Sequence, residues 1–231
     1  MKKFFLLIFA LIACRTIVHA QEAEKTTATI TLNSDLVSRY VWRGTDFGSA
    51  PAIQPALVFN YGNFQLGAWG SFSLSGNTGG TETDLFAGYT LPFGLGVTVT
   101  DYYFPLENKR IDWESGTVFN ERSGNYFNIN NHIIELAAKQ EIGSFYLMGA
   151  YYANLNDDLY LEAGYSHNNI SVFAGAGNES YTDNAKWNVC QVGLRYQKQV
   201  DLTEKLSITP FSTLVVNPSS EQMHFVVGVS F

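Results

Sequence analysis

Charged side chains recur at even spacings in segments that otherwise alternate between apolar and polar residues. Asp35, Arg39 and Arg43 are each four residues apart, and Glu82 and Asp84 are two apart. Residues at even separations in an extended chain share one face. The same polar face of later segments carries four more charged residues: Glu135, Lys139, Glu162 and Arg195. Such opposed charges either line a narrow aqueous path that sorts solutes by charge, or pair with one another and fill an enclosed interior.

Arg39 and Arg43 suggest a more specific arrangement near one end of the predicted sheet. One interpretation is a basic ladder that faces Glu82 and Asp84 across an opening. In the other, Arg43 only donates hydrogen bonds to loop carbonyls. The sequence leaves both open.

Little else in the sequence points to catalysis or metal binding. After residue 20 the histidines are His132, His167 and His224, and no Gly-x-Ser-x-Gly stretch occurs. No Cys/His cluster has the spacing of a zinc site. We therefore expect no enzyme, no catalytic residue, no cofactor and no bound metal.

The first twenty residues predict export from the cytoplasm. Lys2 and Lys3 precede an apolar run from Phe4 to Ala13, which is too short for a transmembrane helix. We expect a signal peptide over 1–20 and one β-barrel domain over 21–231, although Cys14 in the stretch Leu11–Cys14 also fits a lipoprotein acylation site.

Charge and cysteine content narrow the partners of the mature chain. The net charge is −7, and removing residues 1–20 leaves 11 basic against 21 acidic residues, or −10. A nucleic-acid partner is not expected for so acidic a chain. Cys190 becomes the only cysteine, so an intramolecular disulfide is excluded.

Period-2 alternation predicts a wholly β fold. The twelve predicted strands cover residues 27–43, 50–61, 64–74, 82–91, 95–104, 131–140, 144–154, 159–166, 170–177, 187–197, 206–216 and 222–231. Tight turns alternate with longer polar connections, of which residues 105–130 are the longest. In the first strand, Tyr40 and Trp42 are expected on the apolar face and Arg39 and Arg43 on the polar face. Asp101 is an anomaly, because strict alternation places it on the apolar face; a bulge near Thr100 or a position at outer headgroup level would explain it.

Alternation by itself fits a soluble sandwich as well as a membrane barrel. Four features favour a transmembrane, antiparallel, up-and-down β-barrel: the even strand number, strand lengths suited to a tilted crossing, unequal loops, and an aromatic residue at the end of the chain. The last strand resembles the C-terminal signal by which outer-membrane barrels are recognised for assembly, carried here by Phe225, Val227, Val229 and Phe231. We therefore expect the outer membrane of a Gram-negative bacterium, with its lipid and lipopolysaccharide and the barrel assembly machinery as partners.

The stretch from Ser38 to Phe72 resembles the beginning of the TorF-type porin family. The matching residues are Tyr40, Arg43, Gly44, Pro51, Ala52, Gln54, Gly67, Trp69, Gly70 and Ser71, followed by Glu82–Asp84 and Ala87–Tyr89. Arg39 departs from the pattern, in which an acidic residue is expected. The resemblance covers less than a third of the chain and implies an outer-membrane barrel, with a porin as one function within the family.

Together these features predict a channel for passive passage of small hydrophilic solutes. The alternative is a non-conducting structural or surface-recognition barrel that acts through its loops, above all residues 105–130. Solute, pore size and oligomeric state are open at this point.

Overall fold

The computed structural model describes residues 27–75, 80–105, 110–112, 117–119, 125–155 and 157–231. The predicted signal peptide, Cys14 and much of the 105–130 connection lie outside these ranges. The strands are β1 (Ala28–Val37), β2 (Tyr40–Trp42), β3 (Thr45–Phe47), β4 (Ala52–Tyr61), β5 (Phe64–Ser73), β6 (Glu82–Thr90), β7 (Leu95–Tyr103), β8 (Arg110–Asp112), β9 (Thr117–Phe119), β10 (His132–Ile142), β11 (Phe145–Tyr152), β12 (Leu159–His167), β13 (Ile170–Glu179), β14 (Ala185–Gln197), β15 (Val200–Thr203), β16 (Leu206–Asn217) and β17 (Gln222–Ser230).

Twelve of these strands form a closed antiparallel barrel. Their order around the wall is β1, β4, β5, β6, β7, β10, β11, β12, β13, β14, β16 and β17, and β17 pairs with β1 to close the ring. The closing seam is short, with Asp35, Leu36 and Val37 opposite Ser230, Val229 and Gly228. Backbone hydrogen bonds between Ser34 and Phe231 extend it at one end. Among the described residues, no helix has the length and apolar character needed to cross a membrane.

Apolar side chains cover the outside of this barrel and polar ones its inside. Leu32, Leu57 and Val227 are 73%, 51% and 46% exposed, whereas Glu82 and Glu135 are each only 3% exposed. A soluble barrel or sandwich buries its apolar face instead. The alternation therefore has the direction expected of a transmembrane barrel.

The twelve predicted segments match the wall strands closely, with one exception that changes the interior. The first segment does not run to residue 43 as one strand, because β1 ends at Val37. The backbone N–H of Ser38 donates to Val227, and the Ser38 hydroxyl accepts from the Val227 N–H. Beyond Ser38 the chain leaves the wall, and β2 and β3 pair with each other.

We call residues 40–47 the luminal hairpin. Its two turn residues, Arg43 and Gly44, have φ values of 46° and 82°, and positive φ at both central positions is what a tight two-residue hairpin turn requires. The expectation that Tyr40 and Trp42 lie on the apolar outer face is wrong, because parity does not carry through the break at Ser38. Tyr40 is instead buried within the barrel.

Asp101 lies on the outer face without a bulge. The pairs Thr100–Glu135 and Asp101–Ile134 continue the register of β7 and β10 unbroken, so the bulge near Thr100 is wrong. Asp101 lies two residues before the end of β7, and its carboxylate is 2.7 Å from Nδ1 of His132. Nε2 of the same ring is 2.6 Å from the Tyr126 carbonyl oxygen. An outward carboxylate is therefore accommodated by a partner at the rim.

Candidate functional site

The interior of the barrel is the candidate site, and the luminal hairpin divides it. Contacts of this hairpin reach strands on several sides of the wall. Tyr40 packs against Trp69 of β5, and Trp42 against Tyr102 of β7. A Cβ placed on Gly44 would collide with the backbone carbonyl of Cys190 in β14. Only a segment inside the ring can contact β5, β7 and β14 together.

Arg43 at the tip of the hairpin is the most fully satisfied charge in the described interior. Its guanidinium donates two hydrogen bonds to Glu135 of β10, at 2.6 and 3.0 Å, and a third to the Tyr181 hydroxyl at 2.8 Å. The guanidinium carbon lies 4.3 Å from the ring centroids of both Trp42 and Tyr160. Bidentate pairing and aromatic stacking suit an arginine removed from water. We call Arg43, Glu135, Trp42, Tyr160 and Tyr181 the Arg43 cluster.

The proposed ladder of Arg39 and Arg43 facing Glu82 and Asp84 is not what the chain forms. Arg39 pairs with Asp46 on the other arm of the hairpin, and Arg43 pairs with Glu135. The ladder assumed that both arginines project from one straight wall strand, and the break at Ser38 removes that premise. The alternative, in which Arg43 only donates hydrogen bonds to loop carbonyls, is also wrong, because the partner of Arg43 is the Glu135 carboxylate.

Glu82 and Asp84 lie on the inner face of β6, both buried. The Tyr40 hydroxyl donates to Glu82 at 2.8 Å. The Oδ1 atom of Asp84 is buried and accepts no hydrogen bond from any residue that the structure describes. The hairpin thus covers this acidic pair with an aromatic hydroxyl rather than with a cation.

Glu162 on β12 forms a separate hydrogen-bonded group. It accepts hydrogen bonds from Tyr160, Gln191 and Tyr146, the last at 2.6 Å. Lys139 lies 4.8 Å from the ring centroid of Tyr146 and makes an ion pair with Glu141 at 2.8 Å. Lys139 and Glu162 therefore share a neighbour, Tyr146, but no ion pair.

A cavity of about 220 Å³ lies between the hairpin and the closing seam. It is lined by Asp35, Val37, Arg39, Tyr40, Val41, Gln54, Phe173, Gln191, Arg195, Phe211, Thr213, Val215 and Val226. Of the nine residues predicted on the polar face, Asp35, Arg39 and Arg195 meet here. Their role in lining a pore is still a prediction.

Tyrosines are the interior residues that the charge pattern overlooked. Tyr102 donates to Glu135 at 3.1 Å, and Tyr152 packs against Tyr102 and Tyr181. Tyr102 has the polar-face parity of Asp84, so alternation contained a signal for it. Tyr181 lies in the connection between β13 and β14, where no periodicity applies.

The connection that carries Tyr181 is held by polar contacts with the loop before β12. The Ser180 hydroxyl donates to the Asp158 carboxylate, and the Asn178 side-chain amide donates to the Asp157 carbonyl at 3.0 Å. Burial raises the pKa of the Asp158 carboxyl above its usual value. These contacts fix the loop that presents the Tyr181 hydroxyl to Arg43.

The residues of the predicted assembly signal lie on β17 and at the end of the chain. Phe225, Val227 and Phe231 are exposed on the outer face. Val229 is opposite Leu36 at the seam. Their recognition by an assembly machinery is still a prediction. Among residues 27–231 as far as they are described, no group of three or more His, Cys, Asp and Glu side chains is placed to hold a metal ion.

Comparison with known proteins identifies a family but no activity. A family model described as "bacterial protein of unknown function (Gcw_chp)" matches residues 20–207, and the chain therefore belongs to that family. None of the curated proteins compared with the chain matches it. The resemblance to the TorF-type porin family stays a prediction.

Proposed function

We propose that this member of the Gcw_chp family is an outer-membrane β-barrel whose interior passes small hydrophilic solutes. The observation that carries the proposal is the direction of the alternation: an apolar exterior around a charged interior in a closed ring. A closed barrel satisfies its backbone hydrogen bonds between strands, which is required in hydrocarbon. An apolar exterior of this extent is otherwise unfavourable in water.

Aromatic residues at the tight-turn end support the same membrane placement. Seven of them are exposed there: Tyr61, Phe64, Phe93, Phe145, Tyr165, Tyr196 and Phe231. Rings at this level suit the headgroup region. At the other end Phe72 is exposed, while Tyr40 and Trp42 belong to the interior and do not contribute to a girdle. In this proposal the tight turns face the periplasm, the long loops face outside, and Asp101 and His132 lie at the level of the outer headgroups.

The luminal hairpin sets the width of the proposed path. It fills one part of the interior with the Arg43 cluster and leaves the cavity beside the seam. Charges of both signs remain on the wall around that space, at Asp35 and Arg195. Opposed charges across a constriction select solutes by charge and orientation. The expected channel is therefore narrow, with low conductance.

The second candidate is a non-conducting barrel that acts through its exterior loops. The completeness of the Arg43 cluster favours it, because a hairpin tip with a bidentate ion pair and two stacked rings is held firmly in place. A permanently seated hairpin would plug the barrel, as in other barrels filled by a segment of their own chain.

Conductance separates the two candidates. The full-length protein, extracted from outer membranes, is placed in planar bilayers beside a variant in which residues 40–47 are replaced by a glycine–serine linker of equal length. Small current steps for the wild type and larger steps for the variant are expected. Steps from the variant alone would identify a plugged barrel, and silence from both would favour a surface-recognition protein.

Two controls accompany the bilayer measurement. A Lys139→Gln variant changes an interior-face charge that does not line the cavity and should leave the difference between wild type and linker variant unchanged. A variant with residues 105–130 shortened tests whether that connection obstructs the path. The location itself is tested by fractionation, in which recovery as a water-soluble protein without detergent would contradict the membrane placement.

A further inference from the structure

We propose that the cavity beside the β1–β17 seam binds a small zwitterion, one molecule carrying both a carboxylate and an ammonium group. The inference deepens the proposed function and rests on it only for the route by which a solute reaches the interior. Its basis is two opposite charges that line one cavity, Arg195 and Asp35, which attract each other but form no ion pair among the described residues.

Arg195 supplies the positive side of the site. It lies on the inner face of β14, with its guanidinium carbon 3.8 Å from the ring centroid of Phe211 and its Nε donating to Gln197 at 2.9 Å. Among the described residues, its two terminal nitrogens have no hydrogen-bond acceptor and no ion pair. The stacked ring and the Nε bond orient the guanidinium, and the free edge matches a carboxylate in bidentate fashion.

Asp35 supplies the negative side. It lies on the inner face of β1 and lines the same cavity. Within the ranges that the structure describes, its carboxylate accepts no hydrogen bond and makes no ion pair. Arg195 attracts this carboxylate without forming an ion pair with it, so a cationic group in the cavity is the direct partner that Asp35 lacks.

Arg39, the third charge at the cavity, is already neutralised. It forms an ion pair with Asp46, which also accepts hydrogen bonds from the backbone and hydroxyl of Ser49. Without Arg39, the cavity presents one positive and one negative group. An anion by itself would be attracted to Arg195 and repelled by Asp35, and a cation would meet the reverse; a zwitterion satisfies both charges.

The remaining lining limits the size and character of the occupant. Thr213 is only 8% exposed, and its Oγ1 has no hydrogen-bond partner among the described residues. Val226 and Phe211 supply an apolar wall. A volume of about 220 Å³ is smaller than the usual range for drug-sized ligands, so the fitting class is an amino acid or a comparably small zwitterion rather than a peptide or an oligosaccharide.

Binding to the detergent-solubilised, full-length protein tests the site with three probes of similar size. L-alanine carries both charges, propionate only the carboxylate, and n-propylamine only the ammonium group. In ligand-observed NMR titrations, alanine should saturate and bind at least tenfold more tightly than either of the other probes. Equal binding of all three, or no saturation by alanine, would overturn the proposal.

Charge-removing variants assign the two ends of the probe. Arg195→Gln should weaken alanine binding by tenfold or more. Asp35→Asn should reduce alanine to the affinity of propionate, while propionate itself binds no more weakly than to the wild type. The Lys139→Gln protein should bind alanine like the wild type. Unchanged alanine binding by both Arg195→Gln and Asp35→Asn would overturn the proposal.

Folding and conductance are measured separately from binding. Each variant is checked for the heat-dependent electrophoretic shift of a folded barrel, and Thr213→Val, which removes only the unpartnered hydroxyl, provides a milder probe with an expected loss of a few fold. Saturable alanine binding by a barrel that conducts no current would support the site and contradict passage. Conductance without alanine binding would contradict the site and leave passage in place.

Discussion

Two arginines inside the same barrel have opposite surroundings. Arg43, at the tip of the luminal hairpin, has a carboxylate, a hydroxyl and two aromatic rings within reach, whereas Arg195, on the wall beside the seam, has one neutral amide and one ring. A charge on the polar face of a barrel strand therefore has no fixed role. A charge satisfied on all sides holds the fold together, and a charge left with free donors is available to a ligand.

Removing the charge of Arg43 should have the largest effect on stability. Arg43→Gln leaves Glu135 buried without its cation, and breaking one partner of a buried ion pair costs about 3–5 kcal/mol. Urea unfolding in lipid vesicles, followed by tryptophan fluorescence, measures this loss. The double variant Arg43→Gln with Glu135→Gln should recover part of it, because no unpaired charge remains. A loss below about 1 kcal/mol for the single variant would show that the cluster does not anchor the hairpin.

The turn of the hairpin should be the next most sensitive point. Gly44→Ala introduces a side chain at a φ of 82°, where it also meets the carbonyl of Cys190. The left-handed conformation costs about 1–2 kcal/mol by itself, and the collision adds to it. Gly143→Ala is the matched control, because Gly143 has a φ of 63° and no atom within 4 Å of the added Cβ. Equal losses of unfolding free energy for the two variants would mean that the hairpin tip is not packed against β14.

Removing the Tyr40 hydroxyl tests the contact between the luminal hairpin and the acidic pair on β6. Tyr40→Phe removes the donor to buried Glu82, and a hydrogen bond to a charged group contributes about 1.5–3 kcal/mol. Tyr61→Phe, at an exposed tyrosine on the outer face, should leave the free energy of unfolding unchanged. If Tyr40→Phe also leaves the free energy of unfolding unchanged, a water molecule must replace the hydroxyl at Glu82 without loss of stability.

Arg195 should contribute least to stability of the residues compared, and its substitution tests the contrast with Arg43 directly. Arg195→Gln should cost only about 1 kcal/mol or less, because it removes a cation–π contact and one exposed hydrogen bond to Gln197 but no ion pair. The same unfolding experiment measures it beside Arg43→Gln. A loss as large as that of Arg43→Gln would make Arg195 a structural residue and remove the basis for a ligand at its free edge.

Much of the barrel wall could be predicted because the direction of each side chain depends only on its position within its own strand. Leu32, Leu57 and Val227 each lie on the outer face of their own strand, and a shift by one residue within a strand would turn every side chain to the other face. The same rule places four carboxylates on the inner face: Glu82, Asp84, Glu135 and Glu162. For these residues, the alternation within one strand is enough to determine which face of the wall each side chain occupies.

Prediction failed where the chain left the wall. Tyr40 and Trp42 continue the alternation of β1 in the sequence, yet Ser38 binds Val227 and the following residues turn inward. Val227 is nearly two hundred residues away in the chain, so no local pattern reports this contact. The ion pairs of Arg43 with Glu135 and of Arg39 with Asp46 depend on this change of direction at Ser38, so the alternation pattern does not predict them either.

The number of wall strands, the polar face of each, and all their limits except the end of the first could be predicted from the sequence to within a few residues, because alternation and turn residues act over a handful of neighbours. Which of the inward charges are paired within the protein, and which stay available to a ligand, depends on the tertiary structure. Closing the ring brings β1 against β17, and after Ser38 the chain turns into the interior, where β2 and β3 pair with each other. Inside the ring Arg43 meets Glu135, whereas Asp35 and Arg195 line one cavity without forming an ion pair with each other.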